Sequence, residues 1–194
     1  MHLKRAILTF VSAAVLTIPA QAQWKYEIPF PKPLQAESDT VTISFIGDVM
    51  MHSPQFTKDH HEFFKNIATR MRDADFSIAN MEFTLAGPPY SGYPSFSAPE
   101  HIASYMAVDC GTDVFLTANN HITDRGRDGM SRTLQIYRDL SEKTGLKVTG
   151  TFRDEYERTE TYPLMLEKHG FRIALINFTY GTNNGIRSGL PSTN

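Results

Sequence analysis

Three short stretches of this 194-residue chain put polar, cation-binding side chains directly after apolar runs. Gly47-Asp48 follows VTISFI, Asn80 and Glu82 fall in IANME, and Asn119, Asn120 and His121 follow DVFLTA, with Asp124 and Gly126 just beyond. Carboxylates, amides and an imidazole together make a ligand set for a hard or borderline divalent ion. Two amides and an imidazole at the end of a buried strand also need partners, because desolvating them without hydrogen bonds is costly.

Each stretch alone has a plainer explanation. Gly47-Asp48 fits a turn with Asp48 as a helix N-cap, Asn80 fits an Asx-turn, and Glu82 fits a solvated carboxylate. Their recurrence at three equivalent strand exits favours a shared site. The other histidines are weaker candidates. His60 and His61 fall on a helical pattern, His60 on its apolar face and His61 toward solvent; His52 lies four residues after Asp48; His101 starts a helix, and His169 falls in a turn.

The elements that must position these groups follow from periodicity. Residues 41–50 read as a strand buried on both faces. Phe56, His60, Phe63, Phe64, Ile67 and Met71 mark one face of a helix over 55–72, and a strand follows at 75–82. The stretch TLAGPPYSGYPSFSAPE, with four prolines and two glycines, is a candidate binding loop. A short helix over 99–107 leads to the strand DVFLTAN; Met130, Leu134, Tyr137 and Leu140 then repeat at helical spacing up to Gly145. LKVTGTF is a further strand, and YPLMLEKHGFRIALINFTYG reads as a hairpin turning at Lys168, His169 and Gly170, which would add a mixed edge to the sheet. Strands alternating with helices predict an α/β domain with a mostly parallel sheet, whose reactive groups gather beyond the carboxyl ends of the strands.

Composition fits a globular chain, with 41% hydrophobic and 21% charged residues. Residues 1–22 have a cationic start, a short apolar stretch and AQA at the end, the pattern of a secretory signal peptide; an N-terminal membrane anchor is the alternative. Residues 23–40, with three prolines, read as an extended linker. The chain is therefore expected to be exported, periplasmic or associated with the cell envelope. Without the first 22 residues, 17 basic residues face 21 acidic ones, a formal charge of −4, which argues against nucleic acid as a partner. The lone Cys110 reads as a small buried hydrophobe.

GDVM at 47–50, ANME at 79–82, ANNHITDRG at 118–126 and TYGTN at 179–183 resemble the ordered motifs of the CapA family of bacterial capsule synthesis proteins. That family includes the poly-γ-glutamate synthesis proteins and is similar to calcineurin-like metallophosphoesterases. The resemblance covers residues 41–194. It implies a metallophosphoesterase-like α/β sandwich, a mostly parallel sheet flanked by helices. It further implies a metal site lined by Asp48, Glu82, Asn120 and His121, for divalent manganese, zinc, iron or magnesium. His121 would bind metal or act on the leaving oxygen as a catalytic group, with Asp124 orienting its imidazole. Two features depart from the pattern. Metallophosphoesterases begin with Asp-x-His, whereas Met50 follows Asp48-Val49 here. The family's distal histidine motif has no counterpart before Asn194, so the chain is expected to be the front part of a longer protein, truncated at its C-terminus.

Two function classes remain open on the sequence. One is a metal-dependent hydrolase or phosphoesterase of the cell envelope, acting on a phosphoester. The other is a non-catalytic component of a capsule-synthesis complex that binds or exports an anionic polymer such as poly-γ-glutamate. A serine esterase is disfavoured, since Val49 follows Gly47-Asp48 and no Gly-x-Ser-x-Gly occurs.

Overall fold

The computed structural model describes residues 40–184 and 192–194; the expected signal peptide at 1–22 and, apart from Thr40, the linker at 23–40 lie outside them. Strands β1 (Ile43–Val49), β2 (Phe76–Met81), β3 (Val114–Leu116) and β4 (Lys147–Thr149) pair in parallel, in that order across the sheet. A 3-10 turn (Ser53–Thr57), α1 (His61–Phe64) and α2 (Ala68–Asp73) connect β1 to β2. α3 (His101–Ser104) runs into a π-type turn over Tyr105–Asp109 and leads to β3, and α4 (Gly126–Thr144) leads to β4. Beyond β4 come β5 (Thr151–Phe152), α5 (Glu155–Thr161), and the antiparallel pair β6 (Leu164–Lys168) and β7 (Phe171–Leu175); β8 (Ser192–Thr193) pairs antiparallel with β5.

Side chains alternate across the sheet with the strand period of two. Ala79, Met81 and Phe115 point to a core shared with Met71, Ile102, Met106 and Tyr137, and the Phe115 and Tyr137 rings meet edge to face at 5.3 Å. Ile78 and Val114 point to the opposite face, where Leu166 packs with Leu164, Ile173 and Leu175. The β6–β7 hairpin is therefore a second layer under the sheet rather than the mixed edge expected from the sequence. Its apolar side chains cover Ile78 and Val114, which would otherwise face water.

Two further expectations are corrected. β1 is not buried on both faces: among the described residues it has one strand neighbour, and Phe45 is 64% exposed. The helix over 55–72 is split, because the Asp59 carboxylate accepts the His61 N–H and starts α1 afresh, and the chain breaks again before α2. The apolar spacing is nonetheless used, with Phe56, Phe63 and Phe64 packed on the helix-side core and Met71 buried in it.

The register of β1 on β2 carries one extra residue. Phe45 lies opposite Ile78, but Asp48 lies opposite Asn80, so three steps along β1 match two along β2. Gly47, at φ 81°, takes up this bulge with a backbone that a side chain would strain. A shift of one residue exchanges the faces of a strand. Asp48 thereby joins the face of Asn80.

At the other end of the sheet the Asp75 carboxylate accepts bonds from the Thr42 N–H (2.8 Å) and hydroxyl (2.9 Å) and meets His169 Nε2 at 2.8 Å. The Thr42 bonds first, then His169, hold its pKa down at about 2 against an ordinary 3.8. A carboxylate with a lowered folded pKa stabilises the fold fully above its unfolded pKa and loses that contribution as pH falls through the folded one. Between neutral pH and about 2, chemical denaturation is therefore expected to show a smaller acid-induced loss for Asp75→Asn than for wild type.

Candidate metal centre at the strand ends

Three parallel strands stop side by side, and their exits carry Asp48, Asn80 with Glu82, and Asn119 to His121. Asn80 joins the first two exits: its amide nitrogen donates to Asp48 Oδ1 at 2.8 Å and to Glu82 Oε2 at 3.2 Å. Its oxygen accepts from Asn119 Nδ2 at 3.0 Å, and the same nitrogen donates to the Met81 carbonyl at 3.0 Å. Asn119 Oδ1 in turn accepts the His121 N–H at 3.1 Å. Asn119 is 5% exposed and has both ends of its amide engaged, so it acts as the joint that turns the chain from β3 across the end of β2.

His121 is buried, and its Nδ1 lies 2.7 Å from Asp124 Oδ2, an oxygen that also accepts the Phe96 N–H at 2.7 Å. A carboxylate partner at Nδ1 fixes that nitrogen as the donor and leaves the Nε2 lone pair free. Nε2 faces Glu82 Oε1 at 3.9 Å. The Phe96 ring packs edge-on against His121 at 4.7 Å and meets His52 at 5.1 Å. The proline-rich stretch that reads as a binding loop is thus a clamp: Phe96, Ser97 and Ala98 are buried, and Ser95 Oγ donates to the Asp124 carbonyl at 3.0 Å.

Asn120 takes a different place. Its amide nitrogen donates to Asn183 Oδ1 at 3.3 Å, and its carbonyl accepts the Asn183 N–H at 2.9 Å. The Asn183 amide also sits 3.1 Å from His121 Nδ1. Asn120 therefore ties the site to the chain after the hairpin, while Asn119 holds the strand ends together. Asn183 does not follow a strand and has no spacing signal of its own; TYGTN marked it only through a resemblance. Among the other histidines, His169 bonds Asp75 far from this end of the sheet, and Cys110 is fully buried with its thiol pKa pushed up by burial.

Negative charge is gathered at the strand ends. Burial first, then the charge and hydrogen bonding of neighbouring Asp48, raise the Glu82 pKa above its usual 4.5, partly offset by His121. The Asn80 amide bonds both carboxylates, and the imidazole lone pair of His121 faces Glu82. Such a donor set fits a divalent ion, which would neutralise the repulsion that raises Glu82.

A family model described as bacterial capsule synthesis protein PGA_cap matches residues 42–194. The uncharacterized proteins y4sH and y4uA of Sinorhizobium fredii are each 33% identical to the chain over 107 residues, half of this chain and 23% of theirs. The matched region thus spans about a quarter of the length of these relatives.

Proposed function

We propose, from the premise that the chain belongs to the PGA_cap family of bacterial capsule synthesis proteins, that it acts in capsule polymer synthesis at the cell envelope through a metal site at its strand ends. The observation that carries this reading is that Asn80 bonds both Asp48 and Glu82 at adjacent strand ends while the free Nε2 of His121 faces Glu82. Asp48, Glu82 and His121 would hold a divalent cation, manganese, zinc, iron or magnesium, with the Asn120 side chain at the rim. Such an ion supplies Lewis acidity toward a phosphoryl or acyl oxygen. The chain's own residues do the positioning. Asp124 keeps the His121 proton on Nδ1, Asn80 sets the spacing of the carboxylates, and Phe96 covers one side of the imidazole ring. The substrate class on this reading is a phosphoester or an anionic polymer that a cation can orient.

The test is a manganese titration of wild type and Glu82→Gln. A Glu with a raised folded pKa binds its proton more tightly when folded, so stability falls as pH rises through 4.5 toward the folded value. Without metal at neutral pH, Glu82→Gln is therefore expected to melt higher than wild type. With manganese it is expected to lose both the binding heat and the proton release that wild type shows at mildly acid pH. Equal manganese binding by both proteins would overturn the assignment.

A second reading has one observation in its favour: Met50 occupies the position where metallophosphoesterases carry a histidine, so the β1 exit lacks that ligand. On that reading the cleft binds capsule polymer without cleaving it. Manganese binding without hydrolysis of a nitrophenyl phosphodiester, together with polymer production that survives His121→Ala, would select it.

A further inference from the structure

Away from the strand ends, three imidazoles gather where the broken first helix meets α3. His60 and His61 have ring centroids 4.1 Å apart, and His101 reaches His60 from α3 at 4.5 Å. The Tyr105 ring stands edge-on to His60 and His61 at 5.1 and 5.3 Å, and its hydroxyl donates to the His61 carbonyl at 3.0 Å. The Asp59 carboxylate caps the same turn, accepting the His61 N–H at 3.0 Å and meeting His61 Nδ1 at 2.8 Å. One ligand atom from each of Asp59, His60 and His61 lies within 4.8 Å of the other two.

Assigning His60 to an apolar helix face and His61 to solvent does not explain this gathering. Asp59 and His61 are exposed and His60 is half-buried, so hydrophobic burial does little to hold the rings together. Neutral imidazoles beside a carboxylate are the donors of zinc-class sites, with metal–ligand bonds of about 2.0–2.2 Å. Donor atoms around such an ion stand roughly 3.3–3.5 Å apart, so closure from the observed spacing needs only rotation of exposed side chains.

We propose that Asp59, His60 and His61, with His101 as a fourth donor, form a second metal site for a zinc-class divalent ion, separate from the strand-end centre. It joins the α1 turn to α3, two segments otherwise linked here through Tyr105.

The experiment is a calorimetric titration of the full chain with zinc chloride, on wild type, His60→Ala/His61→Ala and His121→Ala. Wild type is expected to take up one more equivalent than His60→Ala/His61→Ala, and His121→Ala to keep the equivalent that this double variant loses. His101→Ala is expected to weaken the same equivalent by about tenfold or more. Should His121→Ala fold poorly, the imidazole NMR signals of wild type report directly: those of His60, His61 and His101 are expected to shift with zinc. Zinc uptake unchanged in His60→Ala/His61→Ala, or imidazole signals at these three positions indifferent to zinc, would overturn the second site. Neither outcome depends on the strand-end centre, whose failure would appear as manganese binding unaffected by Glu82→Gln.

Discussion

Replacing His121 with alanine is expected to lower divalent-metal affinity at the strand ends by about 100-fold or more, since even the partners that only orient a metal-binding histidine are worth 10–100-fold. The change removes the one imidazole whose Nε2 faces Glu82, and it strips Asp124 of a buried partner. Asp124 keeps only the Phe96 N–H on that oxygen, so a loss of stability accompanies the loss of metal. Asp124→Asn separates the two effects: it leaves the ring in place and disturbs the tautomer, so metal affinity is expected to fall less than in His121→Ala. Manganese calorimetry and melting curves on both variants check this. Metal affinity in His121→Ala within a few-fold of wild type would exclude Nε2 as a ligand.

The largest effect on stability is expected from Gly150→Ala. Gly150 sits between β4 and β5 at φ 109°, a conformation that side chains rarely adopt. A Cβ there would meet Asn177 Oδ1 at 2.1 Å and the Ala118 backbone nitrogen at 2.5 Å. Asn177 Oδ1 accepts both the Thr117 N–H (3.1 Å) and the Ala118 N–H (2.8 Å) just beyond β3. The clash therefore displaces an amide that the strand end needs. Backbone strain, overpacking and the loosened hydrogen bonds together are expected to cost about 3–5 kcal/mol, which lowers the melting temperature by roughly 10 °C. Asn177→Ala removes this acceptor without the clash, leaving the Thr117 N–H its bond to the Thr149 carbonyl, and is expected to fall between Gly150→Ala and wild type. A melting temperature for Gly150→Ala close to wild type would mean that the backbone relaxes around the new methyl group.

Much of this architecture is legible in the sequence, and the parts that are not share a cause. α4 is legible because Met130, Leu134, Tyr137 and Leu140 repeat at helical spacing and Gly145, at φ 78°, ends it in a left-handed cap. The strand-to-strand order is legible because helical patterns alternate with short apolar runs. The place of the β6–β7 hairpin is not, since its alternation would look the same at a sheet edge or in a second layer; only its contacts with Ile78 and Val114 decide. The split of the first helix turns on one local hydrogen bond from His61 to Asp59, which competes with helical spacing and leaves no trace in it. At the site, the polar residue types stand out along the chain, but the division of work between Asn119 and Asn120 does not. Adjacent residues of the same type look alike in sequence, and the turn after β3 sends one to Asn80 and the other to Asn183.

The bulge before Asp48 means that this corner of the protein is set by a count of residues as much as by their kind. Were the same residues to pair as a regular strand, with no bulge between Phe45 and Asp48, every side chain that follows in β1 would change sides. The carboxylate would then lie toward the helices, among the neighbours of Ala79 and Met81, where no amide waits for it and an unpaired charge is costly to bury. Val49, now packed in that core, would be turned toward the strand-end cleft. The placement therefore depends on the bulge being kept, and counting this stretch as a regular strand would assign the carboxylate to the wrong side of the sheet.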